Sequence, residues 1–420
     1  MKLRSYQTEM VDAIRQRWAA GQRRVLGCLP TGGGKTEVAI QIIIDEATPT
    51  NRVLILVERK VLCRQRVNRL RRHGLRHVGI LQGDNTIALS APVIVATAQS
   101  IRSRGITADV RFIVIDESHI WHETHDKVLK SAGGARVLGL TATPLREGLG
   151  LRFETIVVGA TIKSLIEPGF LVKPRHFAPA GDAIERALAD VAIRAGDYAV
   201  DQLSSAMRSK SIMGDVVGTW QRRGEDRQTI AFCVDKAHAA ELCAEFLSAG
   251  IVAEVVVDDT EDQDRERIFG AFDKCDIRVL VSVGVLAIGF DSPVAACAIL
   301  ARPTMSTSLH IQQGGWVLRP FEGKTDALIL DHAGNTLVHG RLEDFEPPSH
   351  LSMVDKGTDR RTRRTPAEAW VCKGCQASAA SGCMRSSGDS ARWCWRVTTS
   401  LHRELTLHLR GCSALHTLVR

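Results

Sequence analysis

The sequence predicts an α/β protein of two tandem units with mainly parallel sheets, followed by an irregular, Cys-containing C-terminal tail. Three observations predict it: a glycine-rich loop set between an apolar strand and an apolar helix, a second strand and helix alternation from Thr229, and a change of character beyond about Pro347. The expected units are residues 1–175 and 176–345, with the tail at 346–420. A chain of 420 residues is long enough to bury two cores of ordinary domain size.

The N-terminal stretch Leu3-Arg4-Ser5-Tyr6-Gln7 leads into a helix whose Met10, Val11, Ile14 and Trp18 recur at helical spacing. A glutamine amide both donates and accepts along one edge, so Gln7 can pair with adenine N6 and N7; the bland alternative is a surface glutamine at a helix start. Next comes the loop, Leu29-Pro30-Thr31-Gly32-Gly33-Gly34-Lys35-Thr36, between the strand Val25 to Leu29 and the apolar run Val38 to Ile44. Three successive glycines let the backbone turn its N–H groups inward around phosphate oxygens, which makes Thr31, Gly32, Gly33 and Gly34 cofactor-binding candidates. Lys35 supplies a point charge to the β and γ phosphates, and the Thr36 hydroxyl is the expected protein ligand of Mg²⁺. The helix N-terminus favours the same anion. Leu29 stands where the general pattern has glycine. The expected cofactors are ATP and Mg²⁺.

Val53 to Val57 is a second buried strand, followed by the basic stretch Arg59 to His77, which holds seven arginines, one lysine and no carboxylate. The whole chain has 55 basic against 47 acidic residues, a mild surplus that hints at a polyanionic partner, though a solvated basic face would read the same. Val78 to Leu81 and Val93 to Thr97 are further strands, and Phe112 to Ile115 runs into Asp116-Glu117-Ser118-His119. A carboxylate ending a buried strand beside a phosphate loop can hold Mg²⁺ through its water shell, which suits Asp116. Glu117, one residue on, can orient and deprotonate an attacking water. Strands alternating with helices, with functional residues at strand C-terminal ends, describe an open parallel sheet that binds ligands at that edge.

LPTGGGKT, DESH and Thr141-Ala142-Thr143-Pro144, in this order and spacing, resemble motifs I, II and III of the superfamily 2 helicases, in the branch related to the DEAD and DEAH boxes. The resemblance covers residues 1 to about 345. It implies two RecA-like P-loop NTPase domains, ATP in the cleft between them, and a nucleic acid strand across both, DNA favoured over RNA. Gln7, with Arg4 beside it in the cofactor site, resembles the Q motif; Glu58 to Gln65 resembles motif Ia and brings Arg59 and Gln65 to the nucleic acid. Thr97 to Ser100 resembles motif Ib, with Thr97 and Gln99 on the nucleic-acid side, while Thr141 and Thr143 relay nucleotide state. Ile230 to Asp235 resembles motif IV. Val279 to Pro293 resembles motif V, where Gly289 allows close backbone approach and the resemblance implies that Asp291 contacts ribose or couples the strand to the nucleotide; Ile288 stands where the family often has an acid. His310 to Pro320 resembles motif VI and aligns Gln312, Gly315, Trp316 and Arg319. The family's arginine at the place of Trp316 reaches the γ phosphate, and an indole offers only one neutral donor there. Arg319 remains to supply the arginine contribution. The resemblance therefore implies an ATP-dependent helicase with weakened hydrolysis. The alternatives are a duplex translocase that does not separate strands and a nucleotide-gated DNA-binding protein.

In the second unit Thr229 to Val234, Val252 to Val257 and Arg278 to Val283 read as strands, with helices at Ala237 to Ala249 and Arg265 to Phe272 and a last strand in Ala327 to Asn335. Leu145 to Gly181, including Lys173-Pro174, reads as the exit from the first unit, and Ala183 to Gly218 as helical and polar. In the tail Cys372-Lys373-Gly374-Cys375 forms half of a four-ligand zinc site; no second Cys-x-x-Cys follows, so zinc is the disfavoured reading. Cys28, Cys63, Cys233, Cys243, Cys275 and Cys297 fall in apolar or helical segments, as reduced, buried thiols do. MKLRSYQTEM lacks the apolar core of a secretory signal, and no stretch approaches a membrane span, so a soluble cytoplasmic protein without membrane partners is expected.

Overall fold

The computed structural model describes residues 2–58, 60–83, 85–104, 110–178, 183–194, 196–208, 210–284 and 292–354, together with the backbone of 383–387 and 390–394. The first sheet is made of β1 (Arg24–Cys28), β2 (Arg52–Val57), β3 (Val78–Gln82), β4 (Asn85–Ile87), β5 (Val93–Thr97), β6 (Val110–Ile115), β7 (Arg136–Thr141) and β8 (Thr155–Val158). Its strand order is β4-β3-β5-β2-β6-β7-β1-β8, parallel throughout except for the β3–β4 hairpin. The strands are apolar at successive positions because both faces are covered. Val53, Ile55 and Val57 of β2 join one core cluster while Leu54 and Leu56 join another. Phe112 and Val114 of β6 divide from Ile113 and Ile115 in the same way, the period-two signature of a doubly covered parallel sheet.

The second sheet contains β9 (Lys173–Phe177), β12 (Thr229–Phe232), β13 (Ala253–Val256), β14 (Val279–Ser282), β15 (Cys297–Leu300) and β16 (Asp326–Asp331), all parallel, in the order β13-β14-β12-β15-β16-β9. A two-stranded hairpin, β10 (Ile193–Arg194) with β11 (Asp197–Tyr198), lies between β9 and β12 in sequence. The expected boundary between 175 and 176 falls inside β9, which pairs with β16 and so belongs to the second sheet. Lys173-Pro174 reads as an exit in sequence because proline lacks a donor; β9 tolerates Pro174 because it is an edge strand. Ala183 to Gly218 is likewise not one polar helical stretch, since the hairpin separates Ala183–Leu188 from Val200–Met207.

One apolar cluster runs from the first sheet through Ile162, Leu165, Leu171 and Val172 to Val317, Leu318 and the inner residues Ile230, Ala298 and Ile329 of the second sheet. Val172 N–H donates to Leu318 O at 2.8 Å, so the connecting segment is tied to the end of motif VI. Of the six cysteines expected to be buried, five are; Cys275 is exposed, in a left-handed turn (φ 66°) after the helix Asp262–Asp273. In the tail, β17 (Cys383–Ser387) pairs antiparallel with β18 (Ser390–Cys394), where the sequence suggests only irregular structure. No described helix is long and apolar enough to cross a membrane.

His238 in the helix Lys236–Ser248 is fully buried, and its Nδ1 accepts from Val234 N–H at 3.3 Å. Burial pushes its pKa down to about 4, against a smaller upward pull from Asp235 and Glu241. A depressed imidazole binds fewer protons folded than unfolded, so its contribution is intact above about 6.5 and is lost as pH falls toward 4. Between pH 7 and pH 5 it should cost about 2 kcal/mol of stability. Urea unfolding of His238→Asn should show a pH 7 to pH 5 difference smaller by that amount.

Candidate nucleotide site

β6, β7 and β1 lie side by side, so their C-terminal ends bring DESH, Thr141 to Thr143 and the glycine loop to one edge. The loop's conformation depends on its glycines. Gly32 and Gly34 have φ of 81° and 85°, and a Cβ on Gly34 would collide with Gln7 Nε2. Gln7 is buried, donates to Gly33 O at 3.1 Å and accepts from Arg4 N–H at 2.9 Å. Tyr6 donates its hydroxyl to the same Gly33 carbonyl at 2.8 Å, so the N-terminal segment braces the loop from outside.

Lys35 begins the helix Lys35–Glu46, and its ammonium bends back to Leu29 O at 3.4 Å. Burial lowers its pKa, an effect that Glu117 partly offsets. Arg66, from the helix Lys60–Arg72, donates Nη1–H to Thr36 Oγ1 at 2.6 Å and pairs Nη2 with Asp116 Oδ2. One guanidinium thus spans the two residues expected to carry the metal. Burial, with Arg69 adding to it, lowers the Arg66 pKa to about 10, so it stays charged at neutral pH. Glu117 adopts left-handed backbone (φ 49°), uncommon for a residue with a side chain and frequent at functional sites. Its buried Oε2 accepts no hydrogen bond and faces His119 Nδ1 at 3.4 Å. An orphaned buried carboxylate oxygen, a cradle that a Cβ would fill and a cation seated between a hydroxyl and a carboxylate together fit a Mg²⁺-bound triphosphate.

The second unit reaches this edge through the helix Thr307–Gly315 and the turn after it. A Cβ on Gly315 would lie 3.0 Å from Thr31 Cβ, and one on Gly32 would lie 3.0 Å from Arg319 Cγ, so motif VI touches the loop directly. The Arg319 guanidinium stacks over the Trp316 ring at 4.7 Å. Burial lowers the Arg319 pKa to about 10, which leaves the charge in place. Trp316 itself is only 9% exposed and packs in the apolar cluster with Ile311, Val317 and Leu318.

Thr141 and Thr143 are fully buried. His119 Nδ1 is 3.2 Å from Thr141 Oγ1, and Gln312 Nε2 lies 2.9 Å from His119 Nε2 and 3.4 Å from Thr143 Oγ1, joining motifs II, III and VI across the units. Gln312 is therefore an internal tie. Thr97, expected to face the nucleic acid, is buried and bonded to Ser100 Oγ at 2.8 Å; its hydroxyl caps the helix Ala98–Arg104, while Gln99 and Gln65 are exposed. Arg59, Gly289, Asp291, Cys372 and Cys375 lie outside the described residues.

Two residues of the site escape the sequence reading. Phe170, in the connecting segment, lies under the Arg4 guanidinium at 4.5 Å and beside the Tyr6 ring at 5.3 Å, next to Gln7. Arg66 was hidden among other arginines, although the spacing of Arg66, Arg69 and His73 along one helix face separates them from Arg64, Asn68, Arg71 and Arg72.

Residues 1–146 match the family described as type III restriction enzyme, res subunit, and residues 210–320 match the helicase conserved C-terminal domain. The chain is 30% identical over 364 residues to the Saccharomyces cerevisiae protein IRC3, named as an ATP-dependent helicase, covering 80% of this chain and 52% of that protein. It is 28% identical over 340 residues to the DNA 3'-5' helicase XPB of Kineococcus radiotolerans, covering 76% of this chain and 57% of the relative. It thus spans about half the length of either relative. Among solved structures, a fragment of an HsdR subunit of a type I restriction enzyme from Vibrio vulnificus has the same fold, with a TM-score of 0.63 at 22% identity over 83% of this chain and 67% of that one.

Proposed function

Because the chain belongs to the superfamily 2 helicases, we propose that it hydrolyses ATP when bound to nucleic acid and uses the cycle to unwind or move along DNA. The observation that carries this reading is the closeness of the loop to the carboxylate pair: the guanidinium of Arg66 reaches both Thr36 Oγ1 and Asp116 Oδ2. When bound, Mg²⁺-ATP supplies the scissile phosphoanhydride and screens the charge of its oxygens. The loop amides and Lys35 hold the phosphates, Thr36 and Asp116 hold the metal, and Glu117 orients a water and takes its proton. Arg319, lying against Gly32, faces the phosphates from the second unit. Gln7 reads the adenine edge with Arg4 and Phe170 beside it, and Gly289 and Asp291 serve the ribose side. His119, Thr141, Thr143 and Gln312 carry the state of the site between the units. Arg59, Gln65 and Gln99 belong to the nucleic-acid surface, where contacts made mainly to phosphates give salt-dependent, nearly sequence-neutral binding. DNA is favoured because the XPB relative is named as a DNA helicase.

Phosphate release measured with single-stranded, duplex, forked and RNA substrates tests this reading, with strand displacement and triplex displacement run in parallel. Stimulation by DNA with strand displacement is expected. Triplex displacement alone would select a translocase. Intact nucleotide and DNA binding without stimulated phosphate release would select a nucleotide-gated binding protein, a reading that the buried indole of Trp316 favours.

A further inference from the structure

The helix Lys60–Arg72 has two differently employed faces. On its inner face Arg66 holds Thr36 and Asp116, Arg69 donates Nε–H to Glu37 Oε1 at 2.8 Å, and His73, just past the helix end, places Nε2 3.2 Å from Glu37 Oε2. These positions, three and then four residues apart, staple the helix along the first turn of the loop helix. On its outer face Arg64, Gln65, Asn68, Arg71 and Arg72 are exposed. The Arg66 and Asp116 side chains are only 17% and 11% exposed, so this pair is largely shielded from solvent.

Thr36 and Asp116 are also the oxygens that the nucleotide reading gives to the metal, and the present inference rests on that reading. A magnesium ion takes oxygen ligands in a near-octahedral shell at about 2.0–2.1 Å, or one carboxylate through its own waters. A guanidinium sharing the same hydroxyl and carboxylate oxygen would sit within a few ångströms of a divalent cation, where like charges repel strongly in a poorly solvated site. The two occupants exclude each other.

We propose that Arg66 is the resident cation of the metal position in the nucleotide-free protein, and that it exchanges with Mg²⁺ when the nucleotide binds. Arg66 is then a positioning residue: its guanidinium holds the Thr36 hydroxyl and the Asp116 carboxylate until the metal arrives, and its departure releases the first of the three staples of the helix Lys60–Arg72. Nucleotide without metal leaves Arg66 seated. Nucleotide with metal displaces it.

The test uses the full chain and the fluorescent nucleotide N-methylanthraniloyl-ADP, titrated by anisotropy in EDTA and over a series of Mg²⁺ concentrations. Arg66→Ala removes the competitor, so the Mg²⁺ concentration that half-restores tight binding should fall roughly three- to tenfold, with Arg66→Lys, which keeps the charge but not the two-nitrogen fork, falling between Arg66→Ala and the wild type. Amide exchange across 60–72 in the wild type should be faster with Mg²⁺-ADP than with ADP in EDTA, a readout independent of any variant's folding. An Arg66→Ala protein that binds ADP with an unchanged or raised Mg²⁺ midpoint, or a helix whose exchange is the same in both conditions, would overturn the exchange while leaving the nucleotide reading intact. Absence of ADP binding by the wild type with and without Mg²⁺ would overturn the nucleotide reading, and this inference with it.

Discussion

Glu117→Gln is expected to lower ATP turnover by about 10²- to 10⁴-fold, the range typical of a lost general base, while nucleotide binding stays within a few fold of the wild type. Glutamine keeps the shape of the side chain and its hold on the left-handed backbone at φ 49°, but it cannot accept the proton of water. The orphaned Oε2 is the basis of the expectation. A buried carboxylate oxygen that makes no hydrogen bond and has only His119 Nδ1 near it, at 3.4 Å, is under-solvated, and a water supplied with the substrate would meet that need. Lys35, whose pKa Glu117 raises, would lose that charge partner, so a modest change in phosphate affinity should accompany the loss of turnover. Single-turnover hydrolysis beside equilibrium binding of the nucleotide separates the two effects. Turnover within twofold of the wild type would remove Glu117 from the role of base.

Much of this site was legible because its residues are close in sequence to strand ends, and strand ends converge in a parallel sheet. The apolar runs of β2, β5 and β6 announce themselves through continuous hydrophobicity, and each ends on a polar residue or is followed directly by one at the same edge of the sheet. β9 was not legible. Its proline and its charged ends erase the strand signal, and only pairing with β16, about 150 residues later, makes it a strand at all. Thr97 illustrates a different loss. Its place at the end of β5 suggests an exposed contact, yet the hydroxyl turns back to Ser100 because a nearby helix start needs a cap. Arg66 is hidden for a third reason: in a segment with seven arginines, composition cannot tell the one that faces inward, and only packing against Thr36 and Asp116 distinguishes it.

Trp316→Arg is expected to raise DNA-stimulated ATP turnover by about 10²-fold, a fraction of the 10³ to 10⁵ that an arginine finger is worth, because Arg319 already lies at the loop. The backbone before position 316 touches Thr31, so a guanidinium on a long stem there has the reach to meet developing charge on the phosphates. In the absence of nucleotide the same guanidinium replaces an indole that is 9% exposed in an apolar cluster, and an unpaired buried cation costs about 3 kcal/mol. The variant should therefore melt below the wild type when empty and gain more than the wild type from added Mg²⁺-ATP, since binding supplies the missing counter-charge. Trp316→Ala separates charge from packing. It removes the surface on which Arg319 stacks and should destabilise by about 3–5 kcal/mol with no gain in turnover. If the arginine and alanine variants hydrolyse ATP at the same rate, the charge at position 316 is irrelevant and Arg319 alone serves the cleft. If only the arginine variant accelerates, the indole is what limits turnover.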